Sequence, residues 1–218
     1  DLEGRLLEET NPIGETINYR YDPVGQLEGW TDQESGVIEF GLDESGKITS
    51  QTNALNQQSK KYYDDLGRLN LRESGEQQVK VEYDDAERVT KIDYGQGQLV
   101  SYDYDSYGRI RETVAGAVRT TFAYNAMDQR IGKRTTYPDG SMHDLIFTYT
   151  PSGKRETMRF RQLDADGEVT EDQTTRYNYD KLGRIKTIEK DRNPVATFRY
   201  HPKTLLLVEK VLGNGNRL

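Results

Sequence analysis

Apolar and aromatic residues recur at every second position in one short run after another: Ile17-x-Tyr19-x-Tyr21, Val79-x-Val81-x-Tyr83, Val100-x-Tyr102-x-Tyr104, Val118-x-Thr120-x-Phe122-x-Tyr124, Leu145-x-Phe147-x-Tyr149 and Phe198-x-Tyr200. Successive side chains of an extended chain point to opposite faces, so this spacing predicts β-strands that carry their aromatics on one face. Each run ends in the same signal. Tyr21-Asp22-Pro23-Val24-Gly25-Gln26-Leu27, Tyr63-Asp64-Asp65-Leu66-Gly67-Arg68-Leu69, Tyr104-Asp105-Ser106-Tyr107-Gly108-Arg109-Ile110 and Tyr179-Asp180-Lys181-Leu182-Gly183-Arg184-Ile185 share one pattern, Y-D-x-x-G-(R, K or Q)-aliphatic.

Weaker copies fill the intervals. Leu42-Asp43-Glu44-Ser45-Gly46-Lys47-Ile48 lacks the Tyr, and Tyr83-Asp84-Asp85-Ala86-Glu87-Arg88-Val89 lacks the Gly. The copies beginning at Tyr124, Tyr149 and Tyr200 are looser. Most first positions lie 20 or 21 residues apart, and the two units between Tyr124 and Tyr179 are longer, at 25 and 30. Within a copy, Asp accepts hydrogen bonds from backbone N–H groups ahead of it and Gly takes the positive φ that closes a tight turn. The aliphatic residue opens the return strand.

A second set of turn signals alternates with the first: Ser35-Gly36, Asn53 to Asn56, Ser74-Gly75, Gly95 to Gly97, Ala115-Gly116, Pro138 to Gly140, Asp164 to Gly167, Asp191 to Pro194 and Asn214-Gly215. Each repeat is therefore two strands, and the chain is predicted to be all-β, an antiparallel meander of about 18 short strands with the two kinds of turn on opposite borders. Twisted open sheets rarely exceed about ten strands without curling or splitting, so such a ribbon is expected to curl into a spiral or partial shell. The longer units suggest longer strands or a protruding hairpin. One repeat domain over residues 1–218, cut from a longer protein, is the expected organisation.

Composition narrows the possibilities. Only 33% of the residues are hydrophobic and 31% are charged, a balance that supports a thin core, while 15 Tyr speak against disorder. There is no Cys, so disulfides, thiolate metal sites and Cys nucleophiles are excluded. A net charge of −7 with interspersed signs leaves no basic stripe for nucleic acid. No apolar run is long enough for a helical membrane span, and the first residues read as neither a signal nor a transit peptide.

No catalytic, cofactor or metal site is expected. The acidic residues Asp22, Asp64, Asp84, Asp105 and Asp180 recur at one turn position, as do Arg68, Arg88, Arg109 and Arg184 at another, whereas catalysis needs one constellation held apart from its neighbours. These residues, with Tyr21, Gly25, Tyr63, Gly67, Tyr83, Tyr104, Gly108, Tyr179 and Gly183, read as structural. His143 and His201 are too far apart in sequence for a metal-ligand motif, and Asp164-Ala165-Asp166-Gly167-Glu168 reads as a hairpin turn rather than a calcium loop. The strongest binding candidate is the aromatic face. Tyr19, Trp30, Tyr102 and Tyr177 could stack on sugar rings or grip a protein chain, or else pack among themselves.

At these residues the sequence resembles the Rhs or YD-repeat family, in which the Y-D-x-x-G-R unit recurs many times, and the resemblance runs from about Ile17 to Leu206. It implies a long β-ribbon that spirals into a hollow shell, enclosing a toxic C-terminal segment in bacterial polymorphic toxins and insecticidal toxin complexes, or serving adhesion in teneurins. From it follow a non-enzymatic structural role, a secreted or surface location in bacteria, and partners drawn from the rest of the parent protein or its cargo. Glycans are the partners under the adhesion alternative, and exposed strand edges would allow self-association. The Asp-containing motif by which some relatives cut their cargo free has no match here, so autoproteolysis is not carried over. A chain of 218 residues supplies an arc, a plug or a short open spiral at most.

Overall fold

A computed structural model describes residues 1–32 and 36–217. Among them every regular element is a strand: β1 Glu8–Thr10, β2 Thr16–Tyr21, β3 Leu27–Asp32, β4 Gly36–Leu42, β5 Ile48–Thr52, β6 Gln58–Tyr63, β7 Leu69–Ser74, β8 Gln77–Tyr83, β9 Val89–Asp93, β10 Leu99–Tyr104, β11 Ile110–Ala115, β12 Val118–Tyr124, β13 Arg130–Thr136, β14 Met142–Tyr149, β15 Arg155–Leu163, β16 Val169–Tyr179, β17 Ile185–Lys190, β18 Asn193–Tyr200 and β19 Leu207–Leu212. The nineteenth strand is β1, which the alternation did not announce because its residues, Glu8-Glu9-Thr10, are all exposed.

The chain divides into two compact units, Asp1–Ser101 and Tyr102–Leu218. In the first, each strand pairs antiparallel with the next, from β1 with β2 to β9 with the first residues of β10. In the second, the same meander runs from β11 to β19. Each unit therefore has its YD turns on one border and the other turns on the opposite border. Ser35, half of one expected turn, lies outside the described residues. The extra residues of the long units go into strand length, with nine residues in β15 and eleven in β16.

A bulge recurs where one YD hairpin after another closes. Tyr63 pairs with Leu69 but Tyr62 pairs with Leu71, leaving Asn70 as the additional residue; Glu28, Ile131 and Val208 hold the same position in other repeats. A bulge changes the phase of the strand's alternation. Leu27 thus faces the same way as its partner Tyr21, and Trp30 the same way as Tyr19, although 27 and 30 differ by an odd number. Without the bulge the return strand would turn one of these apolar residues away.

The layer is thin. Phe147, Leu163 and Ala196 are the buried apolar side chains among the described residues, and Asp144 is the buried charge, held by Arg134. Other apolar side chains are half-buried or exposed, and among the described residues no helix covers them.

Candidate functional site

The YD turn is built around the two oxygens of one carboxylate. At Asp64, Oδ1 accepts the backbone N–H of Leu66 at 3.1 Å and of Arg68 at 2.9 Å. The Gly67 N–H donates to the Asp64 carbonyl at 2.7 Å, and the Asp64 N–H donates to the Arg68 carbonyl at 2.9 Å, closing the loop. Gly67 takes φ 75° to do so. The second oxygen, Oδ2, receives the Arg68 guanidinium through Nε at 2.8 Å and Nη2 at 2.7 Å.

This arrangement is reproduced at Asp84 with Arg88, Asp105 with Arg109 and Asp180 with Arg184. Asp22 keeps the backbone half, accepting from Val24 and Gln26, and Asn125 does the same with Met127 and Gln129. The pairing holds several of these carboxyls below the usual carboxylate range. For Asp64 the main cause is the backbone N–H of Arg68, for Asp180 that of Arg184, and for Asp84 the Arg88 side chain. At Asp105 burial acts upward and is outweighed by the hydrogen bonds from Arg109.

The cation then reaches out of its own repeat. Arg68 lies over the ring of Tyr83, 4.4 Å from guanidinium carbon to ring centroid, and the Tyr83 hydroxyl donates to the Leu69 carbonyl at 2.8 Å. Arg109 over Tyr124 and Arg184 over Tyr200 repeat the contact at 4.6 and 4.2 Å, with hydroxyls on the Ile110 and Ile185 carbonyls. Where the motif has Lys the link persists: Lys47 sits over Tyr63, whose hydroxyl donates to Ile48, and Lys154 over Tyr179, whose hydroxyl donates to Arg155. Lys47 also donates to the Gly67 carbonyl, so one side chain touches both the ring and the turn of the next repeat.

These rings occupy a fork. Between repeats the backbone ladder stops short of the YD border. The β7–β8 pairing ends at Leu71 with Lys80, β11–β12 at Glu112 with Thr121 and β17–β18 at Thr187 with Thr197. The strands part beyond those points, and a Tyr hydroxyl bonds the carbonyl that the ladder leaves open. Such a carbonyl would otherwise need water, so the phenol, an apolar body with one polar tip, suits the position. The repeat is therefore a chain of Asp, Arg and Tyr running from turn to ring to next turn.

Reading the sequence missed one copy. Asp1-Leu2-Glu3-Gly4-Arg5-Leu6 is a D-x-x-G-R-aliphatic turn 21 residues ahead of Asp22. Asp1 accepts from the backbone of Glu3 and Arg5 and pairs with the Arg5 side chain, Arg5 lies 5.3 Å from the Tyr21 ring centroid, and the Tyr21 hydroxyl donates to Leu6. The signal is the D-x-x-G-R spacing itself.

The stacking candidates fall in both units and are described within each. Tyr19 and Trp30 are cross-strand partners, with Trp30 packed at 5.1 Å on Phe40 and the Tyr19 hydroxyl bonded to Glu9. Burial, then that carboxylate, pushes the Tyr19 phenol up. In the second unit Tyr102 lies on β10, half-buried, and Tyr177 pairs with Ile188 between β16 and β17, on strands that are not neighbours. His143 packs edge-on between Tyr137 and Phe160, and His201 accepts backbone N–H groups of its own turn.

Comparison with known proteins agrees with this geometry. The chain is 25% identical over 193 residues to the double-stranded DNA deaminase toxin A of Burkholderia cenocepacia strain H111, an alignment covering 85% of this chain but 12% of that protein. Among solved structures it resembles the TcdB2-TccC3-Cdc42 crystal structure, with TM-score 0.53 and 15% identity over 95% of this chain and 16% of the other. It also resembles the Photorhabdus luminescens Tc holotoxin pore, with TM-score 0.58 and 13% identity over 91% of this chain and 13% of the other. At such identities the structural likeness speaks for the fold, and the chain spans about an eighth of the toxin's length. The Teneurin YD-shell family description matches residues 13–215, and this chain belongs to that family.

Proposed function

We propose that this chain is a non-enzymatic wall segment of a β-shell in a secreted or surface-exposed bacterial toxin-like protein, and that the shell encloses or presents a C-terminal cargo. The observation that carries the proposal is the ladder of Asp, Arg and Tyr. Side chains that would serve chemistry elsewhere are here committed, repeat after repeat, to turn N–H groups, ion pairs and open carbonyls. A wall needs this: each repeat gains its stability from the next, in the manner of repeat proteins whose interfaces supply what a single unit lacks. Membership of a shell family and the likeness to toxin proteins support the cargo role.

The adhesion alternative asks the aromatic face to stack on sugars. Against it stand the spent hydroxyls of Tyr21, Tyr63, Tyr83, Tyr124, Tyr179 and Tyr200 and the packing of Trp30 on Phe40.

The test is limited proteolysis of the full-length parent protein. With the wall intact, the segment C-terminal to the repeats should resist protease, and triple substitution of Arg68, Arg109 and Arg184 by Ala should expose it. Equal digestion of that segment in both proteins would rule out enclosure. Retention of this chain on a glycan array, lost in Trp30→Ala, would favour adhesion instead.

A further inference from the structure

Face-to-face pairing sets a row of charges across the second unit. Arg134 is opposite Asp144, Asp144 opposite Arg161, and Arg161 opposite Asp172. Each aspartate is held directly by another arginine, and Arg161 attracts both only through space. Arg134 holds Asp144 through Nε and Nη2 at 2.7 and 2.8 Å, and Arg159 holds Asp172 through Nε at 2.8 Å and through Nη2. Three guanidinium groups against two carboxylates leave one positive charge over, and it falls on Arg161. Its Nε is shielded from solvent and has no hydrogen-bond partner.

Beside it the same face has a groove of about 270 Å³, bordered by Arg134, Asp144 and Arg161. Gly132 forms its floor opposite Ala123 and Ile146, and the missing side chain at 132 leaves the space open. The groove thus joins a cation that no carboxylate holds directly among the described residues to a short apolar wall. Guanidinium is a fixed fork of donors that suits a carboxylate, and Arg134 and Arg161 together put two such forks on the groove against the one carboxylate of Asp144. We propose that this groove is a binding site for a carboxylate on a short apolar stem, with Arg161 as its receptor and the Gly132 floor taking the stem. The inference does not depend on the shell reading. The ligand chemistry has two sources, a free short-chain acid or a glutamate side chain of a protein segment.

The test follows the Arg Nε–Hε resonances of the whole chain by ¹⁵N-edited NMR during titration with sodium butyrate, with sodium chloride at matched ionic strength, and with the capped peptide Ala-Glu-Ala. Saturable movement of the Arg161 signal by butyrate, absent with chloride, is expected. Arg161→Gln and Gly132→Val should each lower the apparent affinity at least tenfold, read from the remaining groove amides. Gly132→Val does this without removing the cation, and its added Cβ would meet Ala123 Cβ at 3.4 Å. Tighter binding of the peptide than of butyrate assigns the site to a protein segment, and the reverse to a free acid. No saturable change with either probe in the unaltered chain, or a change that both variants leave intact, would overturn the proposal.

Discussion

Arg68 stacks over the ring of Tyr83, a residue of the following repeat, while its guanidinium is held by Asp64 of its own turn. One side chain therefore couples a local turn to a neighbouring unit. The Asp fixes where the guanidinium sits, so its stacking on the ring loses little further rotamer freedom.

Coupling of this kind is measurable by a double-mutant cycle. Arg68→Ala and Tyr83→Leu, singly and together, should give an interaction energy of about 0.5–1 kcal/mol in urea unfolding, the range for partly exposed cation–π pairs. Additive single effects would show that the two residues merely lie near each other.

The phenol hydroxyl separates from the ring in a simpler substitution. Tyr63→Phe keeps the ring and removes the donor to the Ile48 carbonyl, and should cost about 1 kcal/mol. Its chain neighbour is the control. Tyr62 is exposed and bonds only the Glu73 carboxylate, so Tyr62→Phe should leave the urea midpoint unchanged within error.

At the turn, Glu87 stands where Gly67 and Gly108 stand in adjacent repeats, and it holds φ 62°. Left-handed backbone costs a residue with a side chain about 1–2 kcal/mol, part of which Gly returns through its greater freedom in the unfolded chain. Glu87→Gly should therefore raise stability by about 0.5–1 kcal/mol, and Gly67→Ala should lower it. A midpoint that falls in Glu87→Gly would mean that the Glu side chain contributes more than its backbone strain costs.

Acid should loosen the ladder in a defined window. The folded-state values of Asp64, Asp84, Asp105 and Asp180 are lowered, so each contributes stability that is complete above the unfolded value of about 3.9 and is lost as pH falls through the folded value. Stability measured by urea unfolding should show no contribution from these groups to its pH slope between pH 7 and 5, and should fall below about pH 4. The Asp64→Asn, Asp105→Asn, Asp180→Asn triple variant should show a shallower fall. An identical acid slope in the variant would remove these carboxylates as its cause.

The strands, their order and the YD border were legible in the amino-acid pattern because each depends on residues close in sequence. Period two places the aromatics, Asp22 or Asp64 gathers N–H groups two and four positions ahead, and Gly takes the positive φ, all within seven residues. The same locality hid β1, whose residues carry no alternation. The candidate stacking residues Tyr19, Trp30, Tyr102 and Tyr177 shared a face by periodicity, but which of them meet was beyond that pattern. That Tyr19 meets Trp30 depends on which strands are neighbours.

What only the tertiary structure decided are the bulge, the fork and the residues that bridge it. Whether Leu27 and Trp30 face together depends on the extra residue Glu28, which alternation alone places on the wrong footing. That Arg68 serves Tyr83, 15 positions on, rather than only its own Asp, depends on the parting of β7 from β8 near the YD border. The surplus charge on Arg161 is likewise a sum over four strands. Turn chemistry acts along the chain and can be read there; pairing register, strand divergence and charge balance act across it, between residues whose separation in sequence is set by loops and strand lengths rather than by any period.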